Sequence, residues 1–293
     1  MPFAHPRVRR ALHLSALVGL VLPPVACGAP PPPPVTRPTV AVAAAPEVDP
    51  LAGPWTPVAR AGSIAQRITF VSALQSRVDS TERLDSVRAV VAVEWSRLAG
   101  SPVRASGLLT EFRVSTDTSA PVMPPGLRVP VPFAALEGRD GAQLRLERPD
   151  PAGCGPDAAA LQAVREVMLS VPSRLEVGTT WSDSASYTVC RDSIPLAVHS
   201  ARDFRVVGAE RLGEDVVVLV DRTSRVTMRG TGTQFGELLT IEATGEGAMR
   251  LAVRLDGAVV VQGRGESTLA MTMRGRRRTQ TLAQHTHLEI AAP

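Results

Sequence analysis

The chain has no lysine, so each of its 32 basic residues is an arginine, and only 3% of its 293 residues are aromatic. Three tryptophans, Trp55, Trp95 and Trp181, are too few for the aromatic platforms on which single-stranded bases stack. The formal charge of +4 does not restore a nucleic-acid reading. Arg7, Arg9 and Arg10 near the N-terminus carry three of those charges, and the +1 left without them gives no general pull toward polyanions. A long hydrophobic run is also missing. The best stretch, ALHLSALVGLVLPPVA from Ala11 to Ala26, is interrupted by His13 and closed by Pro23 and Pro24. It falls short of the roughly 20 apolar residues that a spanning helix needs.

Arginines, an apolar stretch and a small-residue junction in that order are the layout of an export signal, assigned to residues 1–26. Its end, Pro24-Val25-Ala26-Cys27, resembles the lipobox of bacterial lipoproteins, with Pro24 where leucine is usual. The resemblance implies lipidation of Cys27 and an exported protein, anchored in a bacterial membrane through its N-terminal lipid and facing the periplasm or the cell exterior. Several acyl chains on one residue hold firmly, at about 0.8 kcal/mol per buried CH₂. Residues 27–57 then read as the lipidated cysteine and a Pro-rich disordered tether, because Pro30 to Pro34 favour polyproline II, rising about 3.1 Å per residue. Residues 58–293 remain for one β-rich globular domain.

Cysteine is scarce, three in all. With Cys27 taken, Cys154 and Cys190 are left to pair in an oxidising compartment. They lack the Cys-x-x-Cys spacing and the neighbouring histidines of a zinc site. A disulfide is therefore expected, with no metal and no cofactor.

Past residue 62 apolar residues recur at every second position, the period of half-buried strands. Ile64, Ile68, Phe70, Leu74 and Val78 form one such row, Val87 to Trp95 a second, and Leu108, Phe112 and Val114 a third. Pro121, Pro124, Pro125, Pro130 and Pro132 interrupt the pattern and predict an extended loop. One helix is expected over 157–170, with Asp157 as N-cap, Leu161, Val164, Val167 and Met168 on one stripe, and Pro172 as its stop.

Period two returns over 203–290. A three-residue turn pairs Leu255 with Val259, and the hairpin places Gly265 opposite Met249 and Gly247 opposite Ser267. A tight turn at Arg274-Gly275 would set Val261 opposite Leu288 and Val259 opposite Ile290. Gly245, Gly247, Gly263 and Gly265 all fall on the apolar face, where glycine marks a sharp bend. The expected fold is mainly β: a large curved antiparallel sheet, half-barrel or open barrel, with one main helix packed on it.

The segment VPSRLEVGTTW, Val171 to Trp181, resembles an element of uncharacterised bacterial lipoproteins, in which a helix ends in proline and Val-Gly-x-x-Trp opens a long antiparallel meander. The layout is also similar to the half-barrel of periplasmic lipoprotein carriers. By architecture alone, that likeness implies an apolar ligand cradled on a curved sheet.

Catalytic motifs are absent. RGTGTQFG, with Gly230, Gly232 and Gly236, continues as β pattern instead of opening a helix, so it does not read as a phosphate loop. No Gly-x-Ser-x-Gly elbow occurs, and Ser267 lies within a strand. His285 and His287 share a strand face, but the pairing above sets them opposite Arg264 and Gln262, and a positive neighbour opposes a bound cation. Arg274, Arg276, Arg277 and Arg278 at a hairpin tip are the candidate contact for anionic lipid headgroups.

The expectation is a noncatalytic, lipid-anchored envelope protein that binds an apolar ligand between helix and sheet, lined by Val218, Met249, Leu251, Val261 and Met271. Its partners would be a lipid or an envelope protein. The alternative is a structural or assembly lipoprotein acting through protein–protein contacts, and a helix packed dry on the sheet would favour it.

Overall fold

The computed structural model describes residues 49–78, 80–98, 103–138, 141–147, 154–191, 193–234, 236–276 and 278–292. The export signal, Cys27 and most of the Pro-rich tether lie outside them. The strands are β1 (Gly62–Val78), β2 (Thr81–Leu98), β3 (Val103–Thr116), β4 (Val131–Gly138), β5 (Gly141–Leu146), β6 (Thr180–Arg191), β7 (Ile194–Leu212), β8 (Asp215–Gln234), β9 (Glu237–Arg254), β10 (Val259–Arg274) and β11 (Thr279–Ala291), with one helix, α1 (Pro156–Val164). They make a single antiparallel sheet in the order β5-β4-β3-β2-β1-β11-β10-β9-β8-β7-β6. Two meanders, β1–β5 and β6–β11, are thus joined where the first strand pairs with the last. The sheet is nearly closed into a barrel, with one seam; its two edge strands are β5 and β6.

Period two explains the two faces. On β8 the even residues Val218, Val220, Arg222, Ser224 and Val226 turn inward, while Thr223, Arg225, Thr227 and Arg229 are exposed. At about 3.4 Å per residue, strands of 16–20 residues are too long for one core to span. Two apolar clusters form instead. The larger gathers α1 and the segment after it with Trp55, Trp95, Phe133, Leu175, Val218 and Leu251. The smaller lies toward the other strand ends and holds Ile194, Leu196, Ile241, Met271, Met273 and Leu282. Within the larger cluster, Gln66 accepts from Trp95 Nε1 (2.8 Å) and donates to the Val260 carbonyl (2.5 Å), so its buried amide is satisfied.

Side chains and a disulfide close the seam where no ladder does. Cys154, just ahead of α1, is bonded to Cys190 at the end of β6. Arg165 Nη1 donates to the Ala142 carbonyl on β5 (2.8 Å), and Arg202 of β7 donates to the carbonyls of Arg165 (2.7 Å) and Met168 (3.4 Å). These contacts also explain why the helix is shorter than 157–170. Arg202 takes the Arg165 carbonyl that a continuing helix would offer one turn on, and the chain leaves α1 at Val164. The N-cap is Gly155 with Pro156 in the first turn, not Asp157. Val167 and Met168 stay buried all the same.

Further details differ from what the sequence predicts. Pro132 belongs to β4, where it lies just outside the stretch paired with β5, so its missing N–H breaks no rung there. Gly265 does face Met249, and Ser267 does face Gly247, but a bulge between Val260 and Gln262 pairs Val259 with Arg254 instead of Leu255. In the last hairpin, Gly265 faces Leu288 and Gly263 faces Ile290, because Arg274 pairs with Thr279, and Gly275 N–H donates to the Arg278 carbonyl beyond that pair. That slip of four preserves which side chains point inward. Residues 49–57 pack on the fold: Trp55 is buried and exchanges two backbone hydrogen bonds with Leu175 (2.7 and 2.8 Å).

Candidate functional site: a polar belt between two cores

Between the two apolar clusters the inward face changes character. Ser72, Thr286, Ser267, Gly247, Ser224, Arg202 and Asp183 are successive cross-strand partners on β1, β11, β10, β9, β8, β7 and β6. They form one continuous belt of small, polar and charged residues. Ser72 and Thr286 are hydrogen-bonded (2.8 Å), and Gln284 Nε2 donates to both (3.2 and 2.9 Å). Glycine is required beside the belt by close approach. A Cβ at Gly265 would lie 2.4 Å from the Ala248 carbonyl oxygen, and one at Gly245 would lie 2.5 Å from that of Thr268. The close approach of the neighbouring strands leaves no room for side chains at these positions.

Beside these glycines lies a hollow of about 240 Å³, bordered by Glu166, Tyr187, Arg202, Arg222, Ser224, Glu246, Glu266 and Ser267 on its polar side and by Val226, Met228, Met249, Leu269 and Leu288 on its apolar side. Arg202 grips Asp183 through two bonds (2.7 and 2.6 Å), and both are nearly buried. Arg222 Nη1 stands 2.7 Å from Glu166 Oε2. Arg165 donates to Gln162 Oε1 (2.7 Å) and lies over the Tyr187 ring, 4.9 Å from its centroid. Among these groups three guanidiniums meet two carboxylates.

Electrostatics fixes their protonation. Burial is the largest influence on Glu166 and pushes its carboxyl up, but Arg222, Arg202 and Arg165 together outweigh it and hold it below the usual range. Burial raises the Tyr187 phenol against the pull of Arg165. Burial would lower Arg202, yet its bonds and charge attraction to Asp183 leave it raised, whereas Arg165 is lowered by burial. At neutral pH, Glu166 is ionised and Tyr187 protonated.

The outward face is charged. Arg67 pairs with Glu111, Arg225 with Asp203, Arg250 with Asp221, Arg264 with Glu289 and Arg274 with Glu242. A barrel that spans a bilayer turns an apolar band to the lipid, where each midplane arginine costs about 2–4 kcal/mol. This barrel turns charge outward and apolar side chains inward. A broad groove of about 910 Å³ crosses its mid-strand level, lined largely by the outward side chains of β8, β9, β10, β11, β1 and β2, among them Thr227, Thr244, Ala270, Ala283 and Ala73.

Val218 and Leu251 are sealed in the larger core, with Val261 packed at its margin; Met271 belongs to the smaller core. Of the five residues proposed to line a ligand, only Met249 borders the hollow. Helix-side residues Leu161, Val164, Val167 and Met168 fill the space against the sheet. Cys27 and Arg277 lie outside the described residues, while Arg274, Arg276 and Arg278 are exposed at the last hairpin. Gly230 and Gly232 lie within β8, and Gly236 turns the chain into β9 with φ 78°. His285 and His287 face Glu266 (3.4 and 3.2 Å), not Arg264 and Gln262, as the four-residue slip requires. No group of three ligating side chains suited to a metal occurs among the described residues.

Two charged side chains that border the hollow are marked in the sequence only by their parity. Arg222 continues the inward row of Val218 and Val220, and Arg202 lies between Val198 and Phe204 on the inward row of β7.

No protein-family model and no curated protein matches the chain. Among solved structures it is similar to OccK2 (OpdF) of Pseudomonas aeruginosa, at 8% identity over 78% of this chain and 98% of that one, with a TM-score of 0.24. OccK8 (OprE) of the same organism gives 7% identity over 77% and 98%, with a TM-score of 0.18. A likeness this distant carries no argument about function or location.

Proposed function

We propose that the protein is a noncatalytic bacterial envelope lipoprotein, anchored through Cys27, that holds a small ligand inside its water-facing barrel. The observation that carries this reading is the hollow itself: a nearly closed sheet that is packed solid at both ends keeps an open, polar-sided space between its cores. The Cys154–Cys190 disulfide supports export. The protonation states support a noncatalytic role, because a general acid or base works best with a pKa near the working pH and Glu166 and Tyr187 are displaced in opposite directions. The ligand position differs from the one expected between helix and sheet, where side chains fill the space.

Exposed Leu238 near the arginine hairpin favours a second reading, an assembly role through protein contacts at that strand end. Gentle purification from native membranes followed by mass spectrometry separates the two. A stoichiometric small molecule released from the wild type supports the binding reading. A stoichiometric protein partner without any small molecule supports assembly.

A further inference from the structure

We propose that the groove on the outer face, a surface separate from the interior hollow, docks an extended, basic segment of another polypeptide. Two adjacent outward rows floor it. One crosses six strands through Thr227, Thr244, Ala270, Ala283, Gln75 and Leu84, and the other carries Glu246, Thr268, His285 and Ala73. Five strand spacings of about 4.8 Å make the groove about 24 Å long, so its volume of about 910 Å³ gives a mean cross-section of about 38 Å². A helix with its side chains is about 10–12 Å across and does not fit. An extended chain, about 4.8 Å wide and 10 Å deep, sinks most of its depth into the groove, and about seven residues fill the length.

The floor suits a peptide better than an alkyl chain. The hydroxyls of Thr227, Thr244, Thr268 and Ser86 and the Gln75 amide line it as partners for backbone N–H and C=O groups, while Ala73, Ala270, Ala283 and the 73% exposed Leu84 receive apolar side chains. The charged lining sets the sign of the partner. It consists of Asp85, Asp117, Glu246 and Arg225, with His285. Arg83 donates to Asp85 (2.9 Å) and Arg225 to Asp203 (3.1 Å), and these pairs cancel. Two negative charges are left, Glu246 on β9 and Asp117 just past β3. The next outward rows add none: Arg229 and Arg77 face Glu242 and Glu82 on one side, and Arg88 offsets Glu266 on the other. Strands β9 and β3 are separated by five spacings, about 24 Å, so a chain of seven or eight residues with a cation at each end reaches both carboxylates.

The test is fluorescence anisotropy of a labelled peptide, Lys-Val-Ser-Val-Ser-Val-Ser-Lys, titrated with the full chain. Two control peptides carry glutamate at both ends or serine in place of every valine. The basic peptide binds saturably at submillimolar concentration, more weakly as salt is raised, and neither control binds. Ala270→Tyr fills the groove from an exposed position, keeps every charge, and abolishes binding. Asp117→Asn combined with Glu246→Gln weakens binding about fivefold, as loss of two exposed charge pairs requires. The proposal is overturned if the basic peptide does not bind, if the glutamate peptide binds equally well, or if Ala270→Tyr binds unchanged. A concentration-dependent dimer that Ala270→Tyr dissociates would make a second copy the occupant and equally overturn it.

Discussion

Replacing Gly265 with alanine tests the close approach of strands beside the hollow. The added Cβ would sit 2.4 Å from the Ala248 carbonyl oxygen and 2.6 Å from both Met249 Cα and Cβ. Most of these are backbone atoms of β9, held by rungs on both sides, so they cannot swing away as the end of a side chain could. Overpacking of this kind costs about 1–3 kcal/mol, partly offset by about 0.4–1 kcal/mol from the stiffer unfolded chain. For a folded unit spanning residues 48–293, 1 kcal/mol corresponds to roughly 2–4 °C in Tm. Gly265→Ala should therefore melt several degrees lower by calorimetry. Gly208→Ala is the matched control, since a Cβ there meets no atom within 4 Å. Its Tm should be unchanged or slightly raised. Equal melting temperatures for the two variants would refute the close-approach argument.

Acid should weaken the belt through Glu166. Its carboxyl is held below the ordinary value, so the stability it contributes is complete above about pH 4.3 and is lost as pH falls further through its folded value. In urea titrations, Glu166→Gln should be less stable than the wild type at pH 7, with the gap closing toward pH 3; a gap independent of pH contradicts the ion-pair account. Cys154 and Cys190, 36 residues apart, should resist alkylation until reduced, and the double serine variant should lose about 4 kcal/mol on the chain-entropy model. Alkylation of both thiols without reductant would count against the disulfide. Cys27→Ser should leave the protein unprocessed or move it from membrane to soluble fractions, and unchanged processing and membrane association would remove the anchoring proposal.

The architecture was legible because period-two rows are long and clean: Val216 to Met228, Ile241 to Leu255 and Leu282 to Ile290 each mark a strand and its buried face. Pairing was legible only where the turn declared itself. The run Arg276-Arg277-Arg278 gives no turn signal, and a four-residue slip leaves every side chain on its original face. Pattern alone could not choose between the two registers, and the wrong one hid Glu266 behind Arg264 in the surroundings of the histidines. The belt was harder still. An arginine in a strand reads by default as solvent-facing, and only its place on the inward row betrays Arg222. Glu166 reaches the hollow through the path the chain takes after α1, which no local pattern specifies.

The central claim is that the interior hollow is a ligand site, and a crystal structure of the protein purified gently from its native membrane tests it most directly. Continuous density of several atoms is expected within the hollow, against Val226 and Leu269. Separate, water-sized peaks and nothing else in the hollow would contradict it.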